Sequence, residues 1–346
     1  MPDPLAPEST LMFREAAEAG AAVSRQRAAN AATIAVLAER LRRAPPRAVV
    51  TLARGSSDNA ATFGRYLIER RAGVLTSSAS PSVASVYGAA PDMTGALMLA
   101  ISQSGRSPDL IAAAEQARDR GALLVALVND ETSPLAEMAD TCLPLHAGPE
   151  KSVAATKSFI ASLAALLDLL AAWTEDAALR AAFDTLPDLL DRAWQLDWSP
   201  ALPLLTNAEH LYAVARGHAF GVAQEAALKI KETCGFHAEA FSAAEVRHGP
   251  MALVGKGFPV LLFGQDDESC DSVAEVAAEF AGRDAAVIHA GLPGAPGLAL
   301  PALAADPLIA PVLQIESFYR LANALAVARG RDPDRPPHLA KVTETV

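Results

Sequence analysis

The chain has 346 residues, 51% of them hydrophobic and 5% aromatic, with three cysteines and a formal net charge of −11. That length exceeds what one hydrophobic core organises and points to two domains, while the acidic balance argues against a broad nucleic-acid surface, which needs clustered Lys and Arg. Cys142, Cys234 and Cys270 are an odd set with no CxxC pair, so neither a disulfide framework nor a structural zinc site is indicated, and a reducing cytoplasm is the expected compartment.

The first residues, MPDPLAPEST, lack a basic flank followed by an apolar stretch, and no segment approaches the roughly 20 apolar residues that span a bilayer, so secretion and membrane insertion are disfavoured. Residues 10 to 44 carry alanines, leucines and alternating charges, which predicts one or two helices stopped at Pro45-Pro46. AVVTLARG then reads as a strand closing on Arg54-Gly55, followed by a Ser-Ser-Asp turn and a helix through Arg70. The same order recurs in ALMLAISQSG with SPDLIAAAEQARDRG, and in ALLVALVND with SPLAEMAD. Strands so continuously apolar belong to a sheet buried on both faces, hence a doubly wound parallel sheet. Ser107 and Ser133 each precede a proline and a helical pattern, which places them at N-caps with proline at N1.

Residues 157 to 194 read as helical, DWSPALP breaks the pattern, and HLYAVARG at 210 to 217 starts a second strand series. TLARGSSDNAATFGRYLIE is echoed by YAVARGHAFGVAQEAALKIKE, which points to a weak internal duplication. FPVLLFGQDD would be the counterpart of ALMLAISQSG without its serines, leaving the first copy alone equipped for a phosphate. The expected organisation is a helical segment over 1–44, an α/β domain over 45–197, a second over 198–332 and a tail over 333–346.

Ser102, Gln103, Ser104, Gly105 and Ser107 lie where a strand ends and a helix begins. Free amides and the helix dipole attract an anion there, although a serine-rich capping turn has the same composition. Ser56 and Ser57 supply a second hydroxyl cluster at the end of the first strand, where ligands of open α/β sheets gather. Neither cluster matches GxGxxG or GxxxxGK[ST], so no dinucleotide or nucleoside triphosphate is indicated, and no cofactor is expected. A small phosphorylated molecule fits. AGPEKSVAATKSF adds Glu150, Thr156 and Lys157 near a helix start, which by itself reads as a polar loop and cap.

In QEAALKIKE, Glu225, Lys229 and Glu232 fall at i, i+4 and i+7 on one helical face, either a solvated ion-pair ladder or an acid–base row. HAEAFSAAEVRHGPMAL then gathers His237, Glu239, Glu245 and His248, more titratable groups than a connection requires. His-x-Glu also opens a zinc deaminase pattern, but no PCxxC follows, and no metal is expected. DPDRPPHLAKVTETV reads as an exposed tail.

ARGSSDNAATFGRYLIE, ISQSGRSPDLI, AGPEKSVAATKSF, QEAALKIKETCGFHAEAFSAAEVRHGPMALV and DRPPHLAKVTETV, in this order over nearly the whole chain, resemble the sugar isomerase (SIS) family. The similarity is greatest to the isomerase domain of glutamine:fructose-6-phosphate aminotransferases and to stand-alone glucosamine-6-phosphate deaminases of that type. The resemblance implies two flavodoxin-like domains in tandem. It implies that Ser57, Ser102, Gln103, Ser104 and Ser107 hold the sugar phosphate and neighbouring hydroxyls, with Val153 and Ala155 also at the substrate. It further implies that Glu232 shuttles a proton between C1 and C2, that His248 assists ring opening, and that Lys341 contacts or forms an imine with the open-chain carbonyl. Glu225 and Lys229 would orient base and sugar, and the tail would close over the site. A homodimer with shared sites is implied, because in the family the histidine segment reaches a neighbouring subunit.

The chain departs from the family at Arg106, where an acidic residue is usual, at Ala155, where the loop has serine, and in its AKVTETV ending. No glutaminase domain or N-terminal cysteine nucleophile is present in these residues, so the expected reaction is glucosamine 6-phosphate plus water to fructose 6-phosphate plus ammonia. The alternatives are an isomerase or deglycase for another amino-sugar phosphate and a non-catalytic sugar-phosphate sensor. A sensor needs the phosphate cradle but not Glu232, His248 and Lys341 together.

Overall fold

In the computed structural model, which describes residues 5–89 and 91–341, the alanine-rich opening forms α1 (Leu11–Ala16) and α2 (Ala19–Arg43). Thr10 caps α1, its hydroxyl accepting the Phe13 amide, and α2 ends ahead of Pro45-Pro46. The apolar runs and the patterned stretches between them then alternate as β1 (Ala48–Leu52), α3 (Ser56–Arg71), β2 (Thr76–Ser78), α4 (Pro81–Ser85), β3 (Ala96–Ser102), α5 (Pro108–Asp119), β4 (Leu123–Val128), α6 (Pro134–Met138) and β5 (Thr141–Pro144). Two helices follow, α7 (Lys157–Trp173) and α8 (Ala177–Trp194). The sequence reads as one helical stretch here; the chain instead turns at Glu175, whose φ is +53°. The second series comprises α9 (Leu202–Leu205), β6 (His210–Ala215), α10 (Ala219–Lys229), β7 (His237–Ser242), β8 (Pro259–Phe263), α11 (Cys270–Ala281), β9 (Ala286–Ala290), β10 (Leu298–Leu300) and α12 (Ala310–Ala328).

Each series makes one five-stranded, all-parallel sheet, ordered β2-β1-β3-β4-β5 and β10-β9-β8-β6-β7. Counted within its own series and read from the β7 edge, the second order is also 2-1-3-4-5. The sequence echo is therefore a repeat of topology. β3 and β8 occupy equivalent central positions and are buried along their whole lengths, which is why they carry no polar alternation.

Two compact units result. The β1–β5 unit contains Ala21–Glu150 and Lys157–Asp184; the β6–β10 unit contains the chain through Gly20, Lys151–Thr156 and Thr185–Lys341. In the first, Leu52, Met98, Leu124 and Val128 from the strands pack with Leu110 and Ala114 of α5. In the second, Tyr212, Val214, Val260 and Leu262 pack with Val273, Val276 and Phe280 of α11.

Candidate active site

The turn leaving β3 in the β1–β5 unit is built from its own polar groups. Ser102 Oγ accepts the Gly105 amide at 3.1 Å, and Ser104 Oγ accepts the Arg106 amide at 3.4 Å. Gly105 has φ +63°, and a Cβ there would lie 2.2 Å from Ser133 Oγ and 2.6 Å from Ser133 Cβ. Ser133 in turn caps α6, its hydroxyl accepting the Ala136 amide at 3.3 Å. The glycine is thus required by backbone conformation and by lack of room. Ser107 sits at the N-cap of α5 as expected, but its hydroxyl makes no bond to that helix. Pro108 at N1 offers no N–H, so the helix start is signalled by proline geometry rather than by a hydroxyl cap.

Ser57 lies half-buried in the first turn of α3, after Gly55 with φ +56°. Beside this turn, Arg54 donates twice to Asp109 Oδ2, at 3.1 and 2.8 Å, and Asp109 is 1% exposed. Residue types alone do not reveal this pair, because 55 positions separate its members. It ties the turn between β1 and α3 to the start of α5, beside both serine clusters. Burial pushes the Asp58 carboxyl upward, against the lowering effects of Arg54 and Arg65, which lessens its repulsion of an anion nearby. The equivalent turn after β8 holds a carboxylate instead: Asp267 Oδ1 accepts both the Ser269 amide and its hydroxyl.

Glu150, grouped with Thr156 and Lys157 on sequence, has a structural task. Its carboxylate accepts the Ser158 amide at 3.2 Å and the Ser158 hydroxyl at 2.6 Å, holding the first turn of α7. Val153 and Ala155 are half-buried in a loop of the β6–β10 unit. Glu15 of α1 accepts the Lys151 and Ser152 amides at 2.6 and 3.1 Å, and the Asp334 carbonyl accepts the Val153 amide at 3.3 Å. Asp334 also accepts the Leu11 and Met12 amides at 2.6 and 2.7 Å, capping α1. The segment read as an exposed tail is therefore docked here, with Pro333 and Pro336 buried. Lys341, half-buried, is the last described residue; the rest of the expected lid, residues 342–346, lies outside the described residues.

The same unit carries the row of Glu225, Lys229 and Glu232. α10 does not continue to Glu232: a π-helical turn spans Ile230–Cys234. The Gly235 amide reaches the Ile230 carbonyl at 3.0 Å, and Thr233 Oγ1 donates to the Lys229 carbonyl at 2.8 Å. Gly235, with φ +66°, ends the turn in left-handed conformation. Arg329 donates to the Cys234 carbonyl at 3.0 Å and lies over the Phe236 ring at 4.4 Å. Lys229 Nζ bonds Glu232 Oε2 and lies 3.5 Å from Glu225 Oε1. The Glu225 and Lys229 side chains are 0% and 1% exposed, whereas that of Glu232 is 22% exposed. These three residues are brought together, and the solvated-ladder reading is excluded for the inner two. Tyr319 of α12, which sequence reasoning passed over, donates to Glu225 Oε1 at 3.1 Å.

His248 does not join this row. It is exposed between two 3-10 turns, Glu245–Arg247 and Pro250–Leu253. His237 and Glu239 fall on β7, exposed, with 3.9 Å between His237 Nε2 and Glu239 Oε2. Among the described residues, no group of three or more His, Cys, Asp or Glu is arranged to hold a metal ion, and no helix is long and apolar enough to cross a membrane.

The SIS domain family profile matches residues 44–172 and 204–289. The chain belongs to the SIS domain family. A glutamine–fructose-6-phosphate aminotransferase (isomerizing) of Aeropyrum pernix is 36% identical to this SIS chain over 308 residues, 83% of this chain and 49% of that protein. The chain spans about half the length of the curated relatives it matches. A solved structure from Silicibacter pomeroyi DSS-3, provisionally assigned as a phosphosugar isomerase, is 44% identical with a TM-score of 0.90, covering 94% of this chain and 100% of that one. The C-terminal domain of glucosamine-fructose-6-phosphate aminotransferase from Francisella tularensis is 26% identical with a TM-score of 0.84, covering 95% of this SIS chain and 98% of its own. The glucosamine-6-phosphate deaminase of Thermotoga maritima shares the fold, with a TM-score of 0.76 at 24% identity, 97% of this chain and 100% of that one being covered.

Proposed function

We propose that this SIS chain is an aldose–ketose isomerase of phosphorylated sugars, and that its reaction converts glucosamine 6-phosphate and water into fructose 6-phosphate and ammonia. The observation that carries this reading is the graded burial of the acid–base row: Glu225 and Lys229 are closed off, and Glu232 alone keeps a carboxylate partly open. A base must reach its substrate, while the groups that orient it are best held in low dielectric.

In this scheme the phosphate rests among Ser57, Ser102, Gln103, Ser104 and Ser107, with Val153 and Ala155 against the sugar. His248 assists ring opening; its exposure on this copy fits action on a substrate held by a neighbouring copy, and so a homodimer. Glu232 removes the C2 proton of the open-chain amino aldose and returns it to C1, while O1 gains a proton and the amino group loses one, so that the C1 carbonyl becomes a hydroxyl-bearing carbon and C2 becomes an imine. Water adds to that imine, and the C–N bond breaks to leave the ketose and ammonia. Lys341 contacts the C1 carbonyl before proton transfer. Water is the sole co-reactant of this scheme. The names borne by the Francisella and Thermotoga proteins support an amino-sugar phosphate as substrate.

The test is ammonia release, with fructose 6-phosphate detected in parallel, from glucosamine 6-phosphate, galactosamine 6-phosphate and buffer. Release from the gluco sugar, with kcat reduced at least about a hundredfold in Glu232→Gln, is the expected outcome. Binding of both sugars without ammonia from either would overturn the deaminase reading and favour a sensor or another phosphosugar.

A further inference from the structure

The acid–base row has a fourth member that comes from a different element. Tyr319 lies in α12, about 90 residues along the chain from α10, and its side chain is completely buried. Its hydroxyl donates to Oε1 of Glu225 at 3.1 Å, and the same oxygen lies 3.5 Å from Lys229 Nζ. Two donors therefore converge on one carboxylate oxygen. The ammonium is the more distant of them, because it bonds Glu232 at closer range. Two carboxylates share one ammonium, and Glu225 and Lys229 are closed off from solvent, so the donor that Tyr319 supplies alters how the ammonium divides between them.

We infer that Tyr319 is a positioning residue for the Glu232 carboxylate, its hydroxyl satisfying Glu225 so that Lys229 stays committed to Glu232. The inference rests on the reading of Glu232 as the base. Without the hydroxyl, Glu225 Oε1 loses this donor, and the cost of a less well satisfied buried carboxylate draws Lys229 toward it. Glu232 then loses part of its cationic partner, which weakens the hold on its charged form.

Tyr319→Phe removes one oxygen and keeps the ring. The expected result is a roughly tenfold fall in kcat at pH 6, KM within about twofold, and an acidic limb of the kcat/KM profile moved to higher pH by about half a unit or more. Glu225→Gln should abolish that sensitivity: with the carboxylate neutral, adding Tyr319→Phe moves the acidic limb no further, a non-additive double-mutant cycle. Titration of the Glu232 carboxyl by 13C NMR, on substrate-free wild type and Tyr319→Phe, reads the same change without turnover. An unmoved acidic limb and an unmoved NMR midpoint, with only thermal stability lowered, would overturn the inference and leave Tyr319 a packing residue. Should the wild type turn over no phosphosugar, the proposed function fails while the NMR comparison still decides the role of Tyr319. Should Tyr319→Phe not fold, Glu225→Gln alone decides it, since Lys229 released toward Glu232 must move the acidic limb downward.

Discussion

Glu316 shows how a buried carboxyl outside the Glu225, Lys229 and Glu232 row should report on folding. It lies in α12, fully enclosed, with Oε2 lacking a hydrogen-bond partner; burial, and then the nearby Asp191 carboxylate, push its carboxyl well above the ordinary value of 4.5. A carboxyl raised in the folded state is held more tightly there than in the unfolded chain, so its favourable contribution is complete below about pH 4.5 and is lost as pH rises through the raised value. Glu316→Gln keeps the shape and removes the titration. Urea midpoints measured from pH 5 to pH 9 are expected to fall less steeply in the variant, which should be the more stable protein at the alkaline end. At this scale the sequence was informative about type and spacing and silent about environment. Glu225, Lys229 and Glu232 are legible as one face of a helix, but the same spacing fits a solvated ladder, and only the packing of α12 over α10 distinguishes the two. Tyr319 carries no local signal at all.

Among the elements, helices and turns followed local rules except where packing intervened. The π-helical turn at Ile230–Cys234 leaves no trace in the periodicity, because it ends the helix at Gly235 and no further repeat follows to show the shift; such turns recur at functional sites. The turn between β3 and α5 is more predictable. Gly105 needs its left-handed φ, and any Cβ collides with the Ser133 side chain that caps α6. Gly105→Ala is therefore expected to cost about 1–3 kcal/mol in chemical denaturation and to weaken phosphosugar binding, as isothermal titration would show, because the Ser102 and Ser104 turn bonds share that backbone. The N-cap expected of Ser107 is the opposite case. Position and proline are right, but its oxygen does not bond the helix amides.

Over the whole molecule, two series of the same strand order build two cores, and each should respond alike to a cavity. Leu124 of β4 and Leu262 of β8 are both 0% exposed, and Leu124→Ala and Leu262→Ala are each expected to destabilise by about 2–5 kcal/mol in urea unfolding. Unequal losses would mean that one core relaxes around the void and the other does not. The tandem α/β architecture was decided by the sequence itself: apolar runs without alternation demand strands covered on both faces, and the intervening 3.6-residue patterns supply the covering helices. The same is true of the serine turns, the punctuating glycines and prolines, and the order of the motifs. The tertiary structure alone decided that Asp334, near the end of the chain, caps α1 near its start, that Arg54 meets Asp109, and that Tyr319 meets Glu225. The physical reason is common to all three. A hydrogen bond or ion pair depends on positions in space, and partners separated by tens or hundreds of residues leave no periodic trace in the chain.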